Sequence, residues 1–495
     1  MNVSISSKNK NKQIVLPGLS SFLARLLTLL ICLYASCNGP HTYETDLGSD
    51  SESSDTGTDT QRSPNCNPND IRVISQEISA AISTVGIVEW STSIQPLSSA
   101  VIEFSLDDLS SQPDDTQTAP VALDSISTDG VYRSVLLGMK PASVYHYRIT
   151  VNDCSSAKHT IETGPIPVEL PSISNTAIMP AMSANGFIVS STGMKSHFAY
   201  IIDRDGDYVW WYPFTPTENS GRMDGIARAR MSADGRTMWA GSINMACGCG
   251  YLFSIPMDGL GAPTVIPVDR HHDFTVLPDN TVAYIEYTDD GDRIVERNQA
   301  GETRTIYSFR DDFSGEGIDW SHCNAIHYYP KDDSYTVSCL SLNSIVKINR
   351  ATGTLIWDLN STGQGDFTGV TWAGQHGHQI LDNGNILFFT NSGLDRDSDT
   401  TSPAPQFLSS SEAVELALDI TAGSINEIWY YASENRSLAL GDVQRLPNGN
   451  TLVTYSSAGV IHEVTSSGEL VRRIDIDGLG YADWRPILYG EPARY

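Results

Sequence analysis

The segment His376-Gly-His-Gln-Ile-Leu-Asp-Asn-Gly-Asn-Ile-Leu387 places a histidine and an aliphatic pair before an Asn-Gly turn, which a second aliphatic run follows. Asn-Gly between apolar runs is the strongest short-range signal for a β-hairpin. Comparable turns recur along the chain at intervals of about 50 residues, a spacing typical of repeat architectures. The turns lie at residues 183–186, 232–235, 278–280, 331–333, 382–384 and 447–449.

An aromatic strand follows most of these turns, as at Trp210, Trp357 and Trp429, so each repeat is predicted to be a sheet of four strands. One such sheet cannot bury both of its faces alone, and the repeats must therefore stack into a closed ring. We predict an all-β protein with a six-bladed β-propeller over residues 166–495. We expect the tail at residues 484–489 to return to the first blade.

Residues 67–165 carry shorter strand signals before the repeats begin. The run Gly86-Ile-Val-Glu-Trp90 alternates apolar and polar side chains, as a half-buried strand does. The later segments 131–141 and 144–151 resemble a fibronectin type III domain, with Tyr145 or Tyr147 in the tyrosine-corner position. We therefore expect a fibronectin-like β-sandwich before the propeller, either as a packing module or as a platform for a partner.

The charge of the chain is strongly acidic. It has 59 Asp and Glu residues against 31 Lys and Arg residues, a formal net charge of −28. This balance argues against nucleic acid as a partner, because phosphate binding needs a cationic face. A site for a small anion would have to gather its few cations, or protonated histidines, locally.

The N-terminus has the features of an export signal. Basic residues precede an apolar run at residues 26–34, which is too short to cross a bilayer. The run ends at Cys37 in a segment similar to a bacterial lipobox. We expect a signal peptide at residues 1–36, lipid attachment at Cys37 and a Ser/Thr/Asp-rich tether at residues 37–66. The protein would then be exported to the periplasm or cell surface and held at a membrane; ordinary cleavage without a lipid is the alternative.

The cysteines outside the signal segment suggest disulfides, which an exported protein permits. Cys66 and Cys154 flank the predicted sandwich and could pair. Cys247-Gly-Cys249 has the spacing of a metal or redox motif, but no second cysteine pair or nearby histidine completes a zinc set. No cofactor is implied by the sequence.

Three histidines occupy the same place in three successive repeats: His272, His322 and His376, with Gly441 at that place in a fourth. In a propeller these positions would converge at the mouth of the central channel. Three interpretations remain open from the residues alone. One histidine could act as a nucleophile while the others stabilise an anion, the three could hold a zinc ion, or they could be structural.

The repeat region resembles the bacterial arylsulfotransferases, which do not need PAPS. The resemblance implies a six-bladed propeller that transfers a sulfuryl group from an aromatic sulfate donor to a phenol acceptor, by a ping-pong mechanism through a sulfohistidine. The matching segments are His271-His-Asp-Phe274, Asp319-Trp-Ser-His-Cys-Asn-Ala-Ile326, residues 345–357, Gln375-His376 and Leu446-Pro-Asn-Gly-Asn-Thr-Leu452.

The resemblance also implies roles for particular residues. His376 falls on the nucleophile position, while His272 and His322 fall on positions that hold the sulfuryl oxygens and transfer protons. Tryptophans that flank the histidine segments could stack on an aromatic substrate. The predicted substrate contacts are Asn324, His271, Gln375, Trp320, Trp372 and Arg485.

One position departs from the family pattern, since Leu340 stands where the family usually has an arginine. Losing such a donor commonly costs about 10²–10³ in rate. Arg485, Arg436 or Lys347 would have to reach the site from elsewhere, or protonated histidine would have to compensate. Otherwise the chain has changed substrate or lost activity, which leaves a non-catalytic, ligand-binding propeller as the alternative.

Two aspartate-rich stretches, at residues 203–207 and 289–292, resemble calcium loops. They lack the downstream glutamate of such loops. We interpret both as hairpin turns.

Overall fold

The computed structural model describes residues 66–490 except 112–114, 123–128, 168, 194–196, 215–224, 244–249, 318 and 396–409. The predicted signal peptide, nearly all of the tether and Cys37 lie outside the described residues, as do Cys247 and Cys249. The described residues belong to one compact unit.

The protein is all-β, as predicted, and in its described part the only helices are short 3-10 turns. None of these is long or apolar enough to cross a membrane. The 3-10 turns are Pro68–Asp70, Leu109–Ser111, Pro180–Met182, Phe309–Asp311 and Ser456–Ala458.

Two sheets precede the repeats. One has the strand order β1-β2-β5, and the other has the order β4-β3-β6-β7, with β8 also paired to β6. The strands are β1 (Ile71–Ile78), β2 (Gly86–Thr92), β3 (Ala100–Ser105), β4 (Gln117–Pro120), β5 (Tyr132–Leu136), β6 (Val144–Val151), β7 (Cys154–Ser155) and β8 (His159–Glu162).

A shared core, a disulfide and a side-chain hydrogen bond hold these sheets together. Trp90 and Tyr132 stack inside with ring centroids 4.7 Å apart. A disulfide joins Cys66 to Cys154, the pair that the sequence suggested. The Tyr145 hydroxyl accepts the Lys140 backbone N–H at 2.9 Å, the contact that defines a tyrosine corner.

The repeats form six antiparallel sheets in the described part of the chain. Their orders are β12-β11-β10-β35, β13-β14-β15-β16, β17-β18-β19-β20, β21-β22-β23-β24, β26-β27-β29-β30 and β31-β32-β33-β34-β9, with β25 and β28 as a separate two-stranded ladder. The first strands are β9 (Ile173–Ala177), β10 (Phe187–Thr192), β11 (Phe198–Ile202), β12 (Tyr208–Pro213), β13 (Gly225–Met231), β14 (Thr237–Ile243), β15 (Gly250–Pro256), β16 (Thr264–Val268), β17 (Arg270–Val276), β18 (Val282–Glu286), β19 (Arg293–Arg297) and β20 (Thr303–Ser308). The later strands are β21 (Cys323–Tyr329), β22 (Ser334–Cys339), β23 (Ser344–Asn349), β24 (Thr354–Asn360), β25 (Thr371–Trp372), β26 (Gln375–Ile380), β27 (Ile386–Thr390), β28 (Leu394–Asp395), β29 (Glu412–Asp419), β30 (Ser424–Ala432), β31 (Asp442–Arg445), β32 (Thr451–Tyr455), β33 (Val460–Val464), β34 (Leu470–Ile476) and β35 (Leu479–Arg485).

One strand from each sheet contacts its counterparts in the two neighbouring sheets. These central strands are β35, β13, β17, β21, β26 and β31, and the series returns from β31 to β35. The C-terminal strand β35 pairs antiparallel with β10, while β9 pairs with β34 at the far side of the last sheet. Both ends of the repeat region therefore join the first sheet to the last.

A buried ion network ties three central strands together. Arg228 of β13 donates to both carboxylate oxygens of Asp273 on β17, at 2.8 and 3.1 Å, and to Asp442 of β31 at 2.6 Å. All three side chains are fully buried. Removing one partner of such a network costs about 3–5 kcal/mol, because it leaves an uncompensated buried charge. The network therefore fixes the strand that carries His272.

The stretch at residues 203–207 is the hairpin turn between β11 and β12, as interpreted from the sequence. Lys140 of the N-terminal sheets forms ion pairs with Asp203, Asp205 and Asp207 at 3.0, 2.7 and 2.6 Å. Burial lowers the pKa of Lys140, but its hydrogen bonds to Asp205 and Asp207 outweigh burial and raise it. The ammonium group thus fills the space between carboxylates that a cation would otherwise occupy.

Candidate active site

Each histidine segment lies at an irregularity in a central strand. The pairing register shifts between Arg270 and Phe274 in β17, and again near the start of β21 and of β26. His272 and His322 have left-handed backbone conformations, with φ of 55° and 44°. In a regular strand, successive side chains point to opposite faces. Bulges change this direction and are common beside active sites.

The structure brings the predicted histidines together. The ring centroids of His272 and His322 are 4.9 Å apart, and His271 lies 4.9 Å from His272 and 6.1 Å from His322. His376 lies near enough to interact electrostatically with both His272 and His322. Three positions separated by about 50 residues in a repeat therefore share one site.

His376 is 5 % exposed and has one ring nitrogen held by the backbone. Its Nδ1 lies 3.4 Å from the Gly374 carbonyl, which can only accept, so Nδ1 carries the proton. Burial lowers the pKa of His376 to about 4. The imidazole is therefore neutral near pH 7, and with the proton on Nδ1 its lone pair lies on Nε2, as a nucleophile requires.

His322 is held by a carboxylate from its own segment. Its Nδ1 lies 2.5 Å from Oδ2 of Asp319, three residues earlier. Asp319 also has a left-handed backbone, with φ of 60°. A carboxylate on Nδ1 fixes the tautomer and orientation of a histidine and leaves Nε2 for a ligand. No role was predicted for Asp319 from the sequence, although its Asp-x-x-His spacing is a usable signal.

His271 links a buried aspartate to His272. Its Nε2 lies 2.9 Å from Oδ1 of Asp292, and its Nδ1 lies 2.8 Å from Nδ1 of His272. Asp292 also accepts hydrogen bonds from the Ser321 hydroxyl and the Cys323 N–H, both at 2.8 Å. His271 was predicted to contact substrate, but it is 1 % exposed with both ring nitrogens occupied. Asp292 was interpreted only as a turn residue.

The two histidines of this pair differ in protonation. Burial lowers the pKa of His271, but the Asp292 carboxylate outweighs burial, and the pKa is raised overall. The pKa of His272 is well below its ordinary value, first through burial and then through the neighbouring charges of His271, His322 and His376. The site therefore combines a histidine whose pKa is raised with a neighbour whose pKa is lowered.

Asn324 and Gln375 support the site from behind. The Asn324 amide donates to the Gln375 carbonyl at 2.8 Å, and the Gln375 amide donates to the Cys339 carbonyl at 2.9 Å. The Tyr481 hydroxyl donates to the Asn324 carbonyl at 2.8 Å. Both residues are fully buried, and neither side-chain oxygen has a hydrogen-bond partner. They join the strands beside His376, and their oxygens could accept a hydrogen bond from a ligand.

Trp320 and Trp372 lie in the core rather than in the histidine cluster. Trp320 is 7 % exposed and packs beneath Arg310, whose guanidinium carbon lies 4.4 Å from the ring centroid. Trp372 is fully buried against Phe388, with ring centroids 5.1 Å apart. Their large apolar surfaces are used in packing, so the structure gives no support to the predicted stacking on a substrate.

The cations proposed to replace the arginine at Leu340 also lie elsewhere. Arg485 donates to the carbonyls of Ile487 and Gly490 in its own tail. It lines a small pocket with Thr275 and Val276, beyond His272 along β17. Lys347 forms an ion pair with Asp332 at 2.5 Å, and Arg436 is exposed on the surface. Leu340 itself is half-buried, and its N–H donates to the His322 carbonyl at 2.8 Å.

Arg270 is a buried cation beside the histidines that was not predicted from the sequence. It is fully buried, and its Nη1 donates to the Ser242 carbonyl at 2.9 Å. Its Nε and Nη2 are buried without a hydrogen-bond partner. Burial lowers its pKa to about 10, and its charge acts on His271 and His272. A buried guanidinium with unused donors is a candidate for binding an anion.

Glycine at position 241 makes room for this guanidinium. A Cβ atom there would lie 2.3 Å from Nη1 of Arg270. Any larger residue at Gly241 would therefore displace the arginine side chain.

Two groups of possible metal ligands occur among the described residues. One is the Asp203–Asp205–Asp207 group that Lys140 occupies, and the other is His271, Asp292 and Asp319, whose ligand atoms lie within 4.8 Å of one another. In the second group His271 and Asp292 already bond each other. In the described part of the chain, the three predicted catalytic histidines do not form such a group. The zinc interpretation of this trio has no support from the geometry.

Comparison of the chain with known protein families agrees with the geometry of this site. The family model described as Arylsulfotransferase (ASST) matches residues 174–477. The chain therefore belongs to the arylsulfotransferase family, which confirms the resemblance found in the sequence and supports a sulfotransferase enzyme. No curated protein matches the chain.

Similar solved structures share little sequence with the chain. A protein of unknown function from Bacteroides caccae is 14 % identical, with 60 % of this chain and 98 % of that chain covered and a TM-score of 0.41. A virginiamycin B lyase from Staphylococcus aureus is 15 % identical, with 61 % and 88 % covered and a TM-score of 0.37. A putative 6-phosphogluconolactonase from Bacteroides uniformis is 13 % identical, with 78 % and 100 % covered and a TM-score of 0.38. Likeness at this level carries no argument about activity.

Proposed function

We propose that the protein is an aryl-sulfate sulfotransferase that transfers a sulfuryl group from a phenolic sulfate ester to a phenol through a sulfohistidine at His376. The observation that carries the proposal is a buried, neutral His376 whose Nε2 is available beside His272 and His322. Membership of the arylsulfotransferase family agrees with this chemistry.

The reaction proceeds in two half-reactions. Nε2 of His376 attacks the sulfur of the donor, the N–S bond forms, and the bond between sulfur and the aryl oxygen breaks. A phenol leaves after it takes a proton from the site. An acceptor phenol then gives its proton back to the site, and its oxygen attacks the sulfohistidine, which restores His376. His322 binds the sulfuryl oxygens, and His272 stabilises the negative charge that develops on the departing aryl oxygen.

We infer that the six sheets are the blades of a six-bladed propeller over residues 166–495. The succession of central strands and the pairing of β35 with β10 support this inference. The two sheets at residues 67–165, with the tyrosine-corner contact of Tyr145, support a fibronectin-like sandwich. Export and lipid attachment at Cys37 remain predictions from the sequence.

The proposal is tested with purified protein, 4-nitrophenyl sulfate as donor and phenol as acceptor, without PAPS. We expect release of 4-nitrophenol, formation of phenyl sulfate, and parallel lines in double-reciprocal plots, as covalent ping-pong catalysis requires. Saturable binding of the donor without turnover would instead favour a ligand-binding propeller. Activity lost on chelation and restored by a metal would favour a metal-dependent enzyme.

The pH dependence should show the lowered pKa of His376. Burial favours the neutral imidazole down to pH about 4, so kcat/KM for the donor should stay level from neutral pH to about 5 and fall about tenfold per unit below 4. Donor kinetics from about pH 3.5 to 8 measure this limb. Samples held at low pH and assayed at pH 7 control for denaturation. An acid limb near 6.5, the ordinary value for histidine, would contradict the assignment.

A further inference from the structure

We propose that Asp292 and His271 form a proton relay that makes His272 the general acid for the departing phenol. The inference rests on the proposed function and extends it, because it assigns the transferred proton to one atom, Nε2 of His272. It also gives roles to two buried groups that nucleophilic attack by His376 does not use.

Two short contacts define the relay. Oδ1 of Asp292 lies 2.9 Å from Nε2 of His271, and Nδ1 of His271 lies 2.8 Å from Nδ1 of His272. Asp292 lies in the turn between β18 and β19, where the Ser321 hydroxyl and the Cys323 N–H fix its other oxygen. Asp292 and His271 are each 1 % exposed. Water therefore does not compete for the hydrogen bonds that His271 makes with Asp292 and His272.

The contact between the two imidazoles fixes where the protons lie. Two ring nitrogens 2.8 Å apart must share one proton, with one nitrogen as donor and the other as acceptor. Asp292 favours the protonated form of His271, and burial disfavours the protonated form of His272. Nδ1 of His271 is therefore the donor. Neutral His272 then carries its own proton on Nε2, which the relay leaves available for a substrate.

The relay moves one proton in each half-reaction. As the bond between sulfur and the aryl oxygen breaks, Nε2–H of His272 protonates that oxygen, while Nδ1–H of His271 passes to Nδ1 of His272. The transfer converts His271 from the protonated to the neutral form, with its Nε2 proton still bonded to Asp292. When the acceptor phenol attacks, its proton goes to Nε2 of His272, and the Nδ1 proton returns to His271. No proton is gained or lost over the cycle.

The backbone at His272 is distorted in a way that brings the rings of His271 and His272 together. His271 and His272 are neighbours in β17, and neighbours in a regular strand point to opposite faces. The bulge and the φ of 55° at His272 bring their rings to the same side. A left-handed conformation at a residue other than glycine costs about 1–3 kcal/mol and persists where the surroundings impose it. The contact between the two imidazoles accounts for the strained conformation of His272.

The experiment compares two donors with the variant Asp292→Asn. Phenyl sulfate has a poor leaving group that needs a proton, whereas 4-nitrophenolate leaves as an anion. We expect Asp292→Asn to lower kcat/KM about 100-fold for phenyl sulfate, within the usual range for general acid catalysis, but only a few-fold for 4-nitrophenyl sulfate. Asp290→Asn is the matched control, because Asp290 lies in the same turn and is 66 % exposed; it should change neither rate.

A second variant keeps the inference testable if Asp292→Asn does not fold. His271→Gln leaves Asp292 and its other hydrogen bonds in place, and it should show the same selective loss with phenyl sulfate. Equal losses with both donors, in an active wild-type protein, would overturn the relay and leave the proposed function intact. A wild type that transfers sulfuryl from neither donor would overturn both.

Discussion

Replacement of His376 by alanine is expected to lower turnover of 4-nitrophenyl sulfate by about 10⁴-fold or more, the scale of loss when a covalent nucleophile is removed. The other histidines of the site have different partners. His322 has Nδ1 bound to Asp319, and His272 is joined to His271. Nδ1 of His376 lies 3.4 Å from the backbone carbonyl of Gly374, and the Asn391 side chain also hydrogen-bonds its ring, so both of its partners are uncharged.

Two measurements check this prediction. Release of 4-nitrophenol gives the rate, and a radiolabelled donor shows whether the sulfuryl group stays on the protein. The wild type should retain label after a rapid quench at alkaline pH, and His376→Ala should not. Equal turnover by wild type and variant, or equal labelling, would reject His376 as the nucleophile.

The chain offers a matched control in His462. This histidine is also buried, and burial lowers its pKa to about 4, as for His376. It lies on β33, two strands away from the central strand of its sheet, and bonds the Tyr431 hydroxyl at 2.9 Å. His462→Gln should therefore keep full turnover. A loss there as large as at His376 would mean that the assay reports folding rather than chemistry.

Much of the scaffold could be predicted from the sequence because repeats preserve register. The histidine of each repeat precedes an aliphatic run, and the structure brings His272 and His322 to 4.9 Å from each other. Five of the six predicted turns lie in hairpins, but residues 183–186 do not, because they connect β9 of the last sheet to β10 of the first. The disulfide between Cys66 and Cys154 followed from their positions at the edges of one domain. These predictions depend on spacing, which the linear sequence records.

The local geometry of the site could not be predicted in the same way. Alternation along a regular strand puts His271 and His272 on opposite faces, and only the bulge in β17 brings them together. Asp292 was interpreted as a turn residue, because its partner His271 lies 21 positions away in another part of the sheet. Trp320 and Trp372 flank the site in sequence, but packing against the core decides where their rings lie.

The missing arginine at Leu340 leads to the second large effect. Arg270→Met is expected to lower kcat/KM for an aryl sulfate by about 10²–10³-fold, the scale of losing one donor that stabilises developing charge. The reason is that Arg270 is a fully buried cation that acts on His272 and retains two unused donors. Steady-state kinetics with 4-nitrophenyl sulfate measure the loss, and added guanidinium ion should restore part of the rate. Arg436→Met, at an exposed arginine, should have no effect.

Stability separates this role from a structural one. A buried guanidinium with unpaired donors is destabilising in the free protein, so Arg270→Met should unfold at the same temperature as the wild type or higher. If Arg270 only supports the fold, the variant should unfold at a lower temperature and keep its kcat/KM.

The double variant Arg270→Met/Leu340→Arg tests directly whether an arginine at position 340 can replace Arg270. Leu340 lies in the turn after β22 and bonds the His322 carbonyl through its backbone, so an arginine there extends from a position already fixed beside the site. Recovery of activity in the double variant would show that Arg270 supplies the charge that Leu340 lacks.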